Sequence, residues 1–322
     1  MAHVVLGAAG FTGRQLVKQL VELGEEVIAS DLRPRPADTP HGVPWFVADL
    51  CQPESVAGLP LSADDTVYHL AARQYHLAVP RTRRDEWFAE VNVGGTNNLL
   101  RHMSGCQCRR LVYFSTDMVY GPPKTSPVTT RHSLNPAGPY GRSKKQSEEL
   151  CRQFRQDGMA ISIMRPRLIV GPGRLGILEK LFALIRRGLP VPLIGSGRNR
   201  YQMVSVHDCV AAAILAVRAG LPNREFNLGS ADPPQVRDLL AELIERVGSR
   251  SVLLPSPASA VKATLALLDK LGLTLLYPDQ FAIADAEYVL DISETRDVLG
   301  WAPQYRDADM LADAYRVFSE RT

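Results

Sequence analysis

Short apolar strands alternating with amphipathic stretches, a glycine-rich turn after the first strand and an acid closing the second place this chain in the α/β class. We expect a doubly wound parallel sheet with a smaller, mostly helical C-terminal domain laid over it. A length of 322 residues allows roughly two domains at about 150 residues each. The hydrophobic fraction of 45% and charged fraction of 22% exclude a disordered chain. A formal net charge of +3 is too small to argue for nucleic acid as a partner.

Residues 3–6 form a short apolar run that ends at Gly7-Ala-Ala-Gly10-Phe11-Thr12-Gly13. Residues 14–23 then carry helical periodicity, and Gly24 stops it. Strands are expected at 27–30, closing on Asp31, at 45–48, closing on Asp49, and at 66–70, running into Ala71-Ala72. Residues 88–102 have helical spacing, 110–115 read as a strand, 140–156 as a strong helix and 160–164 as a further strand. After Arg165-Pro166 the texture changes: glycine and proline cluster at 171–173 and 188–192, with helices expected at 177–187, 208–219, 236–247 and 259–271. The expected division is a nucleotide-binding domain at 1–165, rejoined by about 204–230, and a substrate domain at 166–203 and 231–322.

The five cysteines show no disulfide framework, and Cys106-Gln-Cys108 suits neither a zinc site nor a redox pair. We expect free thiols and no metal. No secretory signal or membrane-spanning run is visible, so a cytoplasmic protein with no membrane partner is expected.

The chemistry is concentrated at two places. In Gly7-x-x-Gly10-x-x-Gly13 the missing side chains let the backbone turn and approach a pyrophosphate, and the helix that follows offers N–H groups to that anion. A carboxylate at Asp31 can accept both hydroxyls of an adenosine ribose and repels a 2′-phosphate. That favours NAD, while Arg33 and Arg35 keep NADP open. Asp49, with Leu50, can meet the adenine edge, or it is a turn carboxylate. At the second place Tyr140 and Lys144 are spaced i, i+4 and share a helix face. A neighbouring ammonium favours the phenolate and brings a phenol toward use as an acid/base. The hydroxyl of Thr116, at the end of the preceding strand, can bond a substrate oxygen as charge develops.

Taken together these segments resemble the extended short-chain dehydrogenase/reductases, the NAD-dependent epimerase/dehydratase family. The resemblance runs through the glycine motif, His69-Leu-Ala-Ala72, the segment 92–100, Ser115-Thr-Asp-Met-Val-Tyr-Gly121, Tyr140-Gly-Arg-Ser-Lys144, Arg165-Pro166 with Gly171-Pro-Gly173, and Leu299-Gly-Trp-Ala-Pro303. It implies a Rossmann-type domain and NAD as cofactor. It implies Tyr140 as general acid/base, Lys144 also holding the nicotinamide ribose, and Thr116 as the catalytic hydroxyl. Ser115, one residue earlier, is placed with the cofactor residues. Ala71 and Ala72 would pass close to the cofactor and Asn92 would lie near its nicotinamide end; the alternative for Asn92 is a helix cap. A homodimer through the helices near 92–102 and 140–156 is also implied.

The substrate is less constrained. Four-keto dehydratases of the family carry Thr-Asp-Glu where this chain has Thr116-Asp117-Met118, and methionine moves no proton, so dehydration is rejected. Asp117 is either a second acid or a turn residue. Sugar-nucleotide members usually have an asparagine where Leu168 stands. Arg167, Arg198 and Arg200 can still meet a diphosphate, or they are solvated. The leading expectation is an epimerase acting on a sugar-nucleotide hydroxyl through a transient keto intermediate. The rival is a hydroxysteroid-dehydrogenase-like or flavonol-reductase-like ketone reductase acting on an apolar substrate. A third reading is a regulator that binds the dinucleotide without catalysis. The apolar stretch 261–276 would suit an apolar substrate, core packing or a membrane-surface contact, with packing the leading expectation, and His207 and Asp208 would cap the following helix.

Overall fold

A computed structural model describes residues 1–173 and 178–320. The chain runs β1 (His3–Leu6), α1 (Phe11–Glu22), β2 (Val27–Asp31), β3 (Trp45–Val47), α2 (Pro53–Ala57), β4 (Thr66–His69), α3 (Arg84–Ala89), a π-helical segment (Glu90–Gly95), α4 (Thr96–Gly105) and β5 (Arg110–Phe114). A 3₁₀ turn (Asp117–Val119) leads to α5 (Pro139–Gln156), β6 (Ala160–Pro166), β7 (Leu168–Val170) and α6 (Leu178–Arg186). Then come β8 (Val191–Ile194), β9 (Met203–Ser205), α7 (Val206–Arg218), β10 (Glu225–Leu228), α8 (Val236–Arg246), β11 (Leu253–Ser256) and α9 (Ala258–Lys270). The chain closes with α10 (Pro278–Ala282), α11 (Ser293–Leu299) and α12 (Asp307–Glu320).

Among the described residues the main sheet has seven parallel strands in the order β10-β6-β5-β4-β1-β2-β3. Its order reverses between β1 and β4, and the crevice outside the carboxyl ends of those strands is where such sheets bind ligands. Both faces are covered, which explains why the strand centres are mostly apolar, with the polar residues largely at their ends. Leu16, Val17 and Leu20 of α1 pack with Cys209, Val210 and Ala213 of α7 on one face. Leu99, Leu100 and Met103 of α4 pack with Cys151 of α5 on the other. A third core joins α6, α8 and α12 around Phe182, Leu243 and Phe318.

Several boundaries differ from expectation. The first helix begins at Phe11, because residues 11–13 turn at once after the glycine loop. The stretch expected as one helix is broken into α3, the π-helical segment and α4. The C-terminal portion is helical but also holds the two-stranded β8–β11 ladder. Ile177, the expected start of its first helix, lies outside the described residues. His207 and Asp208 do not cap α7. Ser205 does, accepting from the His207 amide at 3.2 Å, while Asp208 accepts from the Gln304 and Tyr305 amides.

Candidate active site

The glycine turn is built by close approach. Gly7 has φ +82°, and a Cβ there would lie 2.6 Å from the Ala71 amide nitrogen. A Cβ at Gly13 would collide with the Gly7 carbonyl oxygen. Gly7 and Gly13 therefore let the loop after β4, with Ala71 and Ala72, and the start of α1 crowd onto one point. Gly10 forms the N-cap of α1 without any side-chain cap, and no acid stands in its first turn, so the positive end of the helix is open to an anion. Asp31 ends β2 beside this turn. Its carboxylate accepts from the Ala9 amide at 2.9 Å and from the Arg33 amide at 3.0 Å, with the Arg33 guanidinium at 3.3 Å. Asp49 closes its own turn, accepting from the Cys51 amide at 2.9 Å, and Leu50 packs against Gly95 in the π-helical segment.

Tyr140 and Lys144 occupy the first turns of α5, and both are buried. Pro139 at the start of the helix supplies its fixed φ where no intrahelical donor is needed. Lys144 Nζ lies 4.2 Å from the centre of the Tyr113 ring. Burial pushes its ammonium down to about 7. Gly141 brings the Thr116 turn alongside: a Cβ there would lie 2.6 Å from the Met118 carbonyl oxygen. Thr116 caps that turn, its Oγ1 accepting from the Met118 amide at 3.3 Å and donating to Asp117 Oδ1 at 3.2 Å.

Asn92 sits in the π-helical segment and is not a helix cap. Its Oδ1 accepts from the Arg73 amide at 2.8 Å and its Nδ2 donates to Ser143 Oγ at 2.9 Å, which pins the loop after β4 to α5. The Asn92 carbonyl accepts from Thr96 Oγ1 at 2.6 Å and Ser147 Oγ at 2.7 Å. π-Helical bulges recur at functional sites. His69 Nε2 pairs with Thr96 Oγ1 at 2.9 Å, and burial, then the Lys144 charge, push this imidazole down to about 3, so it is neutral.

Ser115 turns into the interior. Its Oγ donates to Glu148 Oε1 at 2.6 Å, within a buried network in which Arg165 grips Glu148 through Nε at 2.9 Å and Nη2 at 2.6 Å. Arg167 and Asp117 are brought together: Nη1 donates to Asp117 Oδ2 at 2.5 Å, and the guanidinium lies between the Tyr201 and Tyr288 rings at 4.3 and 4.1 Å. Asp117 is thus a buried ion-pair partner, and Arg167 is a buried group held by it. Arg198 and Arg200 are exposed. Arg200 pairs with Glu287, and Arg198 lines a cavity of about 390 Å³ with Arg237 and Asp238. A larger cavity of about 560 Å³, lined by Arg14 and Lys18 of α1 and His207 of α7, has none of Tyr140, Lys144 and Thr116 in its wall.

Tyr75 joins the site from outside the expected residues. It packs edge-on to Tyr140 with ring centres 5.7 Å apart and stacks on Tyr277 at 4.4 Å. Its hydroxyl donates to Asp279 Oδ2, and burial raises both groups. Gly138, two residues before Tyr140, leaves room for the Asp279 carboxylate. The loop after β4 and the start of α10 thus cover the Tyr140 face. No local periodicity in the sequence marks Tyr75 or Asp279, because their partners are far away along the chain.

A family model described as "NAD dependent epimerase/dehydratase family" matches residues 3–229. The chain is 34% identical over 316 residues to the uncharacterized protein y4nG of Sinorhizobium fredii, covering 97% of this chain and 77% of that protein. It is 25% identical over 304 residues to the UDP-glucose 4-epimerase of Vibrio cholerae, covering 93% and 90%. Its fold matches the UDP-glucose 4-epimerase of Thermus thermophilus, solved as a complex with NAD, with a TM-score of 0.77 and 26% identity over the full length of both chains.

Proposed function

Because the chain belongs to the NAD dependent epimerase/dehydratase family and is an NAD-dependent enzyme of the extended short-chain dehydrogenase type, we propose that it epimerises a hydroxyl of a sugar nucleotide through a transient keto intermediate. The observation that carries this is the pairing of Tyr140 and buried Lys144 on the first turns of α5, with the Thr116 turn packed against Gly141. The full-length likeness to UDP-glucose 4-epimerases supports the substrate class.

The residues present fit the cofactor. The turn at Gly7 and Gly13 leaves no room for a Cβ, the α1 N-terminus has no side-chain cap, and Asp31 stands at the end of β2. Gly7, Gly10, Phe11, Thr12 and Gly13 would hold the pyrophosphate, and Asp31 the adenosine ribose. Bound NAD supplies a hydride acceptor and donor for the substrate carbinol carbon. Tyr140 takes the hydroxyl proton and later returns it. Lys144, in its charged form, favours the Tyr140 phenolate. Thr116 holds the substrate oxygen. Asn92 fixes the loop that carries Ala71 and Ala72 against α5 and so sets the width of the site. In this reading residues 1–165 and about 204–230 form the NAD-binding domain, 166–203 and 231–322 close over the substrate, and two copies pair through α4 and α5.

The apolar-ketone reductase reading keeps one observation in its favour: the aromatic group Tyr75, Phe88 and Tyr277 around Tyr140. One experiment separates the two. Small molecules released by denaturing fresh protein are identified by ultraviolet spectrum and mass, and thermal shift is then measured with UDP- and GDP-sugars. NAD retained through purification, with stabilisation by a nucleotide sugar, is the expected result. A site stabilised by added NAD or NADP and by no nucleotide sugar would replace the epimerase with the reductase.

A further inference from the structure

The stretch 261–276 does not serve the core as expected. Within α9 only Leu265 is buried. Leu267, Leu271, Leu273 and Leu275 are 57%, 61%, 62% and 48% exposed. Leu267 and Leu271 are spaced i, i+4 at the end of α9 and share its face. Gly272, with φ +78°, then turns the chain, and Leu273 and Leu275 follow within four residues. Single exposed leucines are ordinary, but four from one short segment form a patch of the kind that marks an interaction surface.

Cations without a carboxylate partner stand around this patch. The Arg81 guanidinium lies over Gly272, Lys180 Nζ donates to the Leu275 carbonyl at 3.3 Å, and Lys270 ends α9. Among the described residues none of these three cations has a carboxylate partner. Three nearby acids are paired or buried. Asp269 is gripped by Arg84 through two bonds of 3.0 Å and by Thr274 at 2.7 Å. Asp285 pairs with Lys262, and Asp279 is buried under Tyr75. The same chain continues directly into Tyr277 and Asp279, which hold Tyr75 against Tyr140.

We infer that this patch docks on an anionic lipid surface, with the leucines entering the interface, Arg81, Lys180 and Lys270 meeting the headgroups, and the Tyr140 mouth held beside the bilayer. Apolar side chains ringed by cations are the composition that binds such surfaces. A second copy of this chain is the poorer occupant, since a two-fold contact through the patch would set these cations against their own counterparts. No described helix is long and apolar enough to cross a membrane, so the contact is peripheral. The inference is independent of which substrate the enzyme takes.

The test is co-sedimentation of the full chain with vesicles of phosphatidylcholine alone and of phosphatidylcholine with phosphatidylglycerol. Binding to the anionic vesicles only, weakening as salt is raised, is expected. The variant Leu271→Ser, Leu273→Ser, Leu275→Ser should lose about tenfold or more in partitioning. Arg81→Glu with Lys270→Glu should lose about as much on anionic vesicles alone. Circular dichroism and NAD binding should match the parent chain in both variants, because every altered residue is exposed. The inference is overturned if the parent chain fails to bind the anionic vesicles, if the leucine variant binds as well as the parent, or if sedimentation shows that the leucine variant instead abolishes a dimer.

Discussion

Lys144 lies in the interior with its Nζ over the Tyr113 ring, and burial has pushed it down to about 7. An unfolded chain keeps a lysine protonated up to about 10.4. Between those two values the unfolded state binds the extra proton, so stability rises with pH across that window. The penalty for a buried charge is full below about 7 and is relieved as the pH climbs. We therefore expect the Tm of the parent chain, relative to Lys144→Met, to increase between about pH 7 and pH 10. A flat difference between the two melting series would mean that Lys144 is not desolvated. Tyr140 is tested by its hydroxyl. Tyr140→Phe removes the proton carrier but keeps the ring that packs on Tyr75 and Phe88. Its turnover should fall by about 10²–10⁴-fold, with NAD affinity held within a few-fold. Near-normal turnover would assign the proton transfer elsewhere. These two residues were legible from their spacing alone, because i and i+4 on a helix always share a face. Asp117 and Arg167 were legible as charged residues, but not as each other's partner. Fifty residues of chain separate them, and only β6 and the 3₁₀ turn bring them to 2.5 Å.

Between α5 and β6 runs a buried ion pair that no pattern announced. Glu148 on α5 and Arg165 at the end of β6 are both inaccessible, joined by two bonds, with Ser115 and Tyr120 completing the network. Burial alone would raise the Glu148 carboxyl, but the hydrogen bonds and charge of Arg165 outweigh it and hold the group low. Removing one partner strands the other charge in the interior. Arg165→Met should cost about 3–5 kcal/mol in urea unfolding. The lower end is favoured because Arg152 still reaches Glu148 at 2.8 Å. A loss under about 1 kcal/mol, the range of an exposed pair, would mean that the pair is solvated. In the sequence Arg165-Pro166 marked a change of texture after the strand expected at 160–164, and the backbone carries that strand on through both residues. The consequence for stability lies in the side chain, which points at a helix 17 residues back along the chain. The π-helical break before α4 was likewise invisible, since residues 88–102 carry ordinary helical spacing. Its cause is tertiary: Gly95 must admit Leu50, and Asn92 must reach both Arg73 and Ser143.

Across the molecule, α7 ties the sheet to the chain's return. Asp208 accepts from the Gln304 and Tyr305 amides at 3.0 and 3.4 Å, and its carbonyl accepts from Trp301 Nε1 at 2.9 Å. Asp208→Ala removes the acceptor of the Gln304 and Tyr305 amides and should destabilise by about 1–3 kcal/mol, two hydrogen bonds at about 0.5–1.5 kcal/mol each, read by denaturant titration of Trp fluorescence. No change in stability would show that the 301–305 segment is held by Trp301 packing alone. Six of the seven strands of the parallel sheet, the glycine turn, the acid that closes β2 and the Tyr140–Lys144 pair were all written locally; β10, at the sheet edge, was not read. Strand and helix periodicities, glycine geometry and i, i+4 spacing are properties of neighbouring residues, and they survive being read one segment at a time. The cover of Tyr75, Tyr277 and Asp279 over Tyr140, the sealing of Arg167 against Asp117 and the outward turn of the α9 leucines were not. Each depends on which distant surface arrives opposite, and an apolar run carries the same pattern whether another element packs on it or water does. Local chemistry therefore specified the cofactor turn and the proton-transfer pair, while long-range packing set what surrounds them.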